Sequence, residues 1–444
     1  MLIFKSMILI LGVCFPQNNV TFFISDDLEV IDSLNKILEN KKDLTGSYEL
    51  DSYNHINDKI HYQYHNEKKM VDTVIVSGLN QINTKIKEKL IKPYKTKSIG
   101  IDYDKIGTKI SSQNYFINKK PIYSLGITDN NLLAALVSID SEFYSYFSGN
   151  VGLRKKNNIF DLNGEINVHM ENLIKTTGTI DFYWKKNDTL SQIITFNLYE
   201  PFFINSSLGT DFRYYRGIYN GLFIKLEKRL KFELFSSNYF YYKVGFLKGS
   251  TNPTKNGILN NYDKVDYEAF SISITKNLLN NRFLPNKGSL ILFETDVGLS
   301  NKLVYINSSF TYNRYYFINN SFFCSLNLNL AGINVLNSIV PKSRYKNFGG
   351  FSTLRGYNDD QFKSTQFGIS TVELNYFLNP NSHPFLFVDI ASKKIDVLDS
   401  NMIGYGFGLK RNNNNLSLNI SYAFSSQKTL FSEGALHIKV ISKF

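Results

Sequence analysis

Nowhere in this chain does an apolar run reach the roughly 18 residues that a membrane-spanning helix needs. The longest, Met7 to Phe15, falls far short. Cysteine is almost absent: Cys14 and Cys324 are the only two among 444 residues, which excludes a disulfide framework. Also missing are zinc-ligand spacings, a Gly-x-Ser-x-Gly nucleophile turn and a phosphate-binding glycine loop. His55, His61 and His65 cluster, but no cysteine or carboxylate stands at ligand spacing beside them. They read as polar positions of a hairpin. No catalytic residue, metal or cofactor is expected, and the chain is not expected to be an enzyme. The net charge of +12 invites a nucleic-acid partner, yet the basic residues are scattered through loops and strand ends and form no stripe. Nucleic acid is therefore not expected.

What the chain has in excess is large rings. Its 29 Tyr and 36 Phe bring the aromatic share to 15%, while mean hydropathy stays at -0.21. Outer-membrane barrels use such rings as girdles where lipid meets water. Backbone groups in lipid must pair internally, so a membrane chain without apolar helices is left with the closed barrel. The Met7–Phe15 run, behind Lys5, reads as the core of a secretory leader over residues 1–17. Cys14 follows Val13, which is larger than a lipoprotein signal prefers, so lipidation of Cys14 is not expected.

Residues 18–69 form a polar segment, with a helix expected at Asp26–Asn40 and strands at Gly46–Tyr53 and Lys59–His65. Over 70–141 the spacing predicts a β-α-α-β-β unit. Val71, Val74 and Val76 mark its first strand, and Ile82, Ile86 and Leu90 an amphipathic helix ended by Pro93. Second-helix and strand patterns follow near Tyr103–Ser112, Tyr115–Ser124 and Leu132–Ile139. From 142 to 444 short alternating segments run to the last residue. In Leu416–Phe424, Leu416, Leu418, Ile420, Tyr422 and Phe424 share one face and Ser417, Asn419, Ser421 and Ala423 the other. At roughly 18 to 20 residues per strand and connector this tail supplies about sixteen strands. The expected fold is an all-β transmembrane barrel of about sixteen antiparallel strands behind a small α+β domain. A long loop is expected at Gly249–Lys264.

The segment GGFSTLRGY, Gly349 to Tyr357, with the following Phe362, resembles the sixth extracellular loop of the superfamily that contains the insertase BamA, its relative TamA and the two-partner-secretion transporters. Three further stretches are similar to the family and stand in its order: NLYEPFF (Asn197–Phe203), NRFLPNKG (Asn281–Gly288), and FLFVDIA (Phe385–Ala391) with GYGFGLK (Gly404–Lys410). The chain also ends in Phe444, like the terminal aromatic that serves such barrels as an assembly signal. The resemblance implies that Arg355, Gly356 and Tyr357 fold back into the lumen. It also implies that Arg355 pairs with the aspartate of the FLFVDIA strand.

Alternation agrees. The parity that turns Leu386, Val388 and Ile390 outward turns Asp389 inward, and Val372, Leu374 and Tyr376 leave Glu373 inward. A lumenal arginine needs a carboxylate, so Asp389 is the first choice and Glu373 the second. Gly349 and Gly350 are expected to make the loop turn, and Gly404, Gly406 and Gly408 to leave room for the loop. The unit at 70–141 resembles a polypeptide-transport-associated (POTRA) module of the periplasm, and 18–69 has room for one degraded copy. Expected partners are outer-membrane lipid, unfolded outer-membrane clients and accessory assembly subunits. The implied function is insertion of other barrels. The alternative is a two-partner-secretion transporter exporting one dedicated protein.

Overall fold

The structure is a computed structural model. It describes residues 19–23, 27–41, 46–54, 59–66, 70–117, 119–156, 159–188, 190–203, 208–234, 240–393, 402–426 and 434–444. The leader expected at 1–17, with Cys14, and His55 lie outside the described residues. The chain divides into two compact units. One takes the residues up to Ser77 together with Lys89–Thr108 and Ile122–Ser138; the other takes Gly78–Glu88, Lys109–Pro121 and Ile139–Phe444.

In the first unit, β1 (Asn19–Phe23), β3 (Lys59–Asn66) and β2 (Gly46–Asn54) form an antiparallel sheet, and α1 (Asp27–Lys41) lies between β1 and β2 in sequence. His61 pairs in register with Thr21, and His65 faces Glu49 at 3.6 Å. Next come β4 (Thr73–Ser77), α2 (Thr84–Lys95), α3 (Ile101–Gln113), β5 (Ile122–Ile127) and β6 (Leu133–Ser138). Strand β6 is central, parallel to β4 and antiparallel to β5. Helix α2 runs past Pro93, which sits in its last turn, where a missing N–H matters only locally. Tyr94, Tyr103 and Tyr123 stack edge to face, and the Tyr103 hydroxyl donates to the Tyr94 carbonyl at 2.6 Å. Burial pushes the Tyr103 phenol up to about 12, so it stays neutral at physiological pH.

The second unit contains a closed barrel of sixteen antiparallel strands. These are β7 (Tyr146–Lys156), β8 (Ile159–Glu171), β9 (Thr179–Asp188), β10 (Ser191–Glu200), β11 (Gly209–Tyr219), β12 (Phe223–Leu234), β13 (Phe240–Pro253), β14 (Val265–Asn277), β15 (Gly288–Ser300), β16 (Leu303–Phe317) and β17 (Phe322–Val335). After the short loop strands β18 (Lys346–Phe348) and β19 (Phe362–Ser364) come β20 (Gln366–Tyr376), β21 (Ser382–Ser392), β22 (Ile403–Asn412), β23 (Leu416–Ser425) and β24 (Ala435–Lys443). The strand number agrees with the sequence expectation.

Alternation explains the barrel strand by strand. Along β23, Ser421, Ala423 and Ser425 are buried inside, while Leu416 lies on the exposed face. On β24, Leu436, Ile438 and Val440 face out and Lys443 turns in to donate to the Asn412 side chain at 2.6 Å. The expected long loop at Gly249–Lys264 is shorter than the sequence suggested. Strand β13 continues to Pro253, and α4 (Lys255–Leu259), capped by the Thr254 hydroxyl, fills the connection. Alternation is hidden there because polar Thr251 turns inward and bonds Ser343 at 2.9 Å, whereas charged Lys248 turns outward.

Closure is uneven. Each neighbouring pair from β7 to β24 shares at least eight register pairs, but β24 meets β7 through only two, Ser442 with Phe147 and Lys443 with Tyr146. One more hydrogen bond, from the Phe444 amide to the Ser145 carbonyl at 2.9 Å, follows beyond the strand ends. The Phe444 ring itself is exposed.

Candidate functional site

The connection from β17 to β20 is the longest between described barrel strands, and it folds into the lumen. Gly349 and Gly350, at φ +120° and +91°, make its turn, tied by hydrogen bonds from the Gly349 amide to Thr353 Oγ1 at 2.8 Å and from the Gly350 amide to the Leu354 carbonyl at 3.0 Å. Leu354, Tyr357, Phe348 and Phe367 then pack with Ala391 and Met402 in one buried apolar cluster. The loop is thus anchored by burial on the inner wall as well as by charge.

At its tip Arg355 is held by two carboxylates. Its Nε donates to Asp389 Oδ2 at 2.8 Å and its Nη2 to Asp389 Oδ1 at 2.7 Å, a bidentate pair. Its Nη1 donates to Glu373 Oε1 at 2.8 Å, and its backbone amide reaches Asp389 Oδ2 at 3.1 Å. The guanidinium also lies 3.5 Å over the Phe387 ring. Glu373 is completed by Lys410 and by the Ser325 hydroxyl at 3.3 Å, Asp389 by the Thr371 hydroxyl at 2.8 Å. Two cations meet two anions, so the cluster is neutral, as a buried ionic group must be to offset desolvation. Both carboxylate choices made from parity therefore lie on Arg355 together.

Lys410, Phe387 and Thr371 were not singled out from sequence. The signal for Lys410 was available, since it continues the inward parity of Gly404, Gly406 and Gly408.

Sheet register explains the fit. Thr371, Asp389 and Gly404 are direct cross-strand partners, as are Glu373, Phe387 and Gly406. With no side chain at Gly404, the Arg355 backbone sits directly beside Asp389; a Cβ there would collide with the Arg355 carbonyl. Gly406 and Gly408 do not share this role. A Cβ on Gly406 would meet the Tyr422 carbonyl, and one on Gly408 the Ile420 carbonyl and the Phe385 ring, so those two serve strand packing. Gly356, at φ +87° and pressed against the Phe424 carbonyl, is the loop position that most requires glycine. Tyr357 beyond it reaches Ser426 Oγ at 3.2 Å. Gly404→Ala is expected to destabilise the folded barrel by about 1–3 kcal/mol through overpacking. Gly332→Ala, whose Cβ would make only ordinary contacts, should leave urea unfolding unchanged.

Two further anchors were not foreseen. Arg344, in a short 3-10 turn of the same loop, lies 3.5 Å over the Tyr267 ring and 4.6 Å over Tyr305. At the rim where the barrel begins and ends, the NRFLPNKG turn sends Arg282 to Glu171 on β8, and Lys443 stands 4.0 Å over Phe283 of that turn. Glu171 also holds His169 Nε2 at 2.7 Å.

Comparison with known proteins agrees with this architecture. Residues 153–433 match the Omp85 superfamily domain. Among solved structures, BamA from Haemophilus ducreyi lacking POTRA domains 1–3 is similar at 13% identity, over 95% of this chain and 94% of that one, with a TM-score of 0.52. CdiB from Escherichia coli is similar at 11% identity, over 94% and 84%, with a TM-score of 0.58. CdiB from Acinetobacter baumannii is similar at 10% identity, over 94% and 82%, with a TM-score of 0.56. No curated protein matches the chain in sequence. A closed sixteen-stranded barrel with a loop arginine drawn into its lumen, and a family match over most of its length, place this chain in the Omp85 superfamily of outer-membrane β-barrels.

Proposed function

We propose that this barrel assists insertion of other outer-membrane β-barrel proteins, acting at the β7–β24 junction. The observation that carries the reading is the narrowness of that junction, two register pairs where every other has at least eight. Separating β24 from β7 breaks few hydrogen bonds and exposes two strand edges on which a client strand can add. Arg355, bound to β20 and β21 while Gly356 packs on β23, holds that wall in shape as the junction opens. It is a latch and takes no part in chemistry.

In this reading the β4–β6 unit is a POTRA module, placed in the periplasm with the rim that carries both barrel ends. Its edge strand β5, paired on one side by β6, is where an unfolded client first adds. Accessory subunits would bind the same module. A second reading, export of one dedicated protein through the lumen, has helix α1 in its favour, since a helix ahead of the module suits a plug.

Depletion of the protein from its host separates the two. Semi-native gels of several unrelated outer-membrane barrels are expected to show a general rise in unfolded forms. If all of them stay folded while one secreted protein disappears from the medium, the insertase reading fails and the transporter replaces it.

A further inference from the structure

The outer face of β11–β14 carries a row of charged residues beside a row of apolar ones. Asp211 and Lys243 form an ion pair on the inner wall, over β12, and Lys231 and Glu233 are buried inside, which fixes the parity. Tyr214, Lys228, Lys248 and Glu268 therefore point outward, and they are successive cross-strand partners in one row. Lys248 and Glu268 pair at 2.7 Å with side chains 79% and 67% exposed. One step toward the rim opposite the chain ends, Arg216 also points outward, and Asp266 there is taken by Lys264 at 3.1 Å. Neither Lys228 nor Arg216 has a carboxylate partner among the described residues. One step the other way the row is wholly apolar: Phe212, Leu230, Phe246 and Phe270, with the last two rings edge to face at 5.7 Å. Between the two rows runs a groove of about 550 Å³.

Two physical arguments fix what belongs there. A lipid-facing lysine costs about 2–4 kcal/mol at the bilayer midplane and about 0–1 near the interface, so the charged row marks headgroup depth and the phenylalanine row the start of the acyl chains. Like charges directly opposite each other on a sheet repel, and Lys228 faces Lys248 with one carboxylate between two lysines and a nearby arginine. An anion at this level would relieve that excess with charge-assisted hydrogen bonds.

We propose that this groove is a binding site for a phosphate-bearing lipid of the leaflet at the loop rim, the outward leaflet in the orientation given above. Lys228 and Lys248 take the phosphate, and Leu230, Phe246 and Phe270 take an acyl chain. The site is independent of whether the barrel inserts or exports proteins.

The test is native mass spectrometry of the purified full chain in neutral detergent, titrated with lipid A, a bis-phosphorylated acylated glucosamine disaccharide. One lipid is expected to stay bound. K228Q/K248Q should lower its apparent affinity at least tenfold, and K228R/K248R should keep it, with folding of each variant checked by gel mobility. R314Q, an outward arginine of β16 toward the opposite rim, should change nothing. Equal binding by the Gln variant, by the dephosphorylated glycolipid, or an equal loss in R314Q, would overturn the proposal. Displacement of the lipid by millimolar inorganic phosphate would also overturn it, by assigning the site to the free anion.

Discussion

Arg355→Ala is expected to destabilise the folded barrel by about 3–5 kcal/mol, the usual result of removing one partner from a buried ion pair. The loss follows from counting charges: Asp389 and Glu373 would be left in the lumen wall with Lys410 as the only cation within hydrogen-bonding range among the described residues. Arg355→Lys should recover little, because a single ammonium cannot fork across Asp389 and reach Glu373 as well. The readouts are the urea midpoint of the folded form on semi-native gels and tryptic cleavage of the loop at Lys342, Arg344 or Lys363 in intact cells. A double-mutant cycle with Asp389→Ala should give a combined loss well below the sum of the single losses. Additive losses would mean that the contact carries no coupling and that the latch is not one.

The second large effect concerns the junction. Cysteines at Phe147 and Ser442, which are direct cross-strand partners, should form a disulfide that welds β7 to β24 without disturbing the other strands. Oxidised protein is expected to keep its folded mobility yet fail to restore barrel insertion in depleted cells, with activity returning when reductant is added. Among the described residues only Cys324, on the outer wall of β17, is present as background. Full activity of the oxidised form would show that the junction need not open, and the proposed mechanism would fall while the fold stood.

How much of this could be read from residues alone depended on whether the deciding interaction was local. Strand number, the inward turn of Asp389 and Glu373, and the return of Arg355 into the lumen all follow from period-two alternation joined to one family-like segment. The Lys410 contact was legible by the same parity and was overlooked. Arg282 on Glu171 was not legible, because a turn between β14 and β15 meets β8 across the barrel mouth and nothing in either segment specifies the other. Alternation misled at Gly249–Lys264, where a long loop was expected, for a physical reason. At the end of β13 outward Lys248, Ser250 and Asn252 alternate with inward Gly249 and Thr251, so neither face is apolar and the period is lost there, whereas in β12 only Lys228 interrupts an apolar outer face. The weak strand signal at the end of β13 and the proposed lipid site share Lys248. The role of Gly406 and Gly408 was misread because parity tells which side a residue faces but not which atoms await it.

The latch and the junction also differ in when they can form. Arg355 is 34 residues from Asp389 and 18 from Glu373, so the loop can lock once a single stretch of wall has zipped together. Tyr146 and Lys443 stand at opposite ends of the barrel sequence, and their meeting carries the largest loop-closure entropy in the domain for the fewest hydrogen bonds. During biogenesis the strands around the latch should therefore become protected from hydrogen exchange first and the first and last strands last. The barrel would mature from a curved, already latched sheet whose final act is to shut.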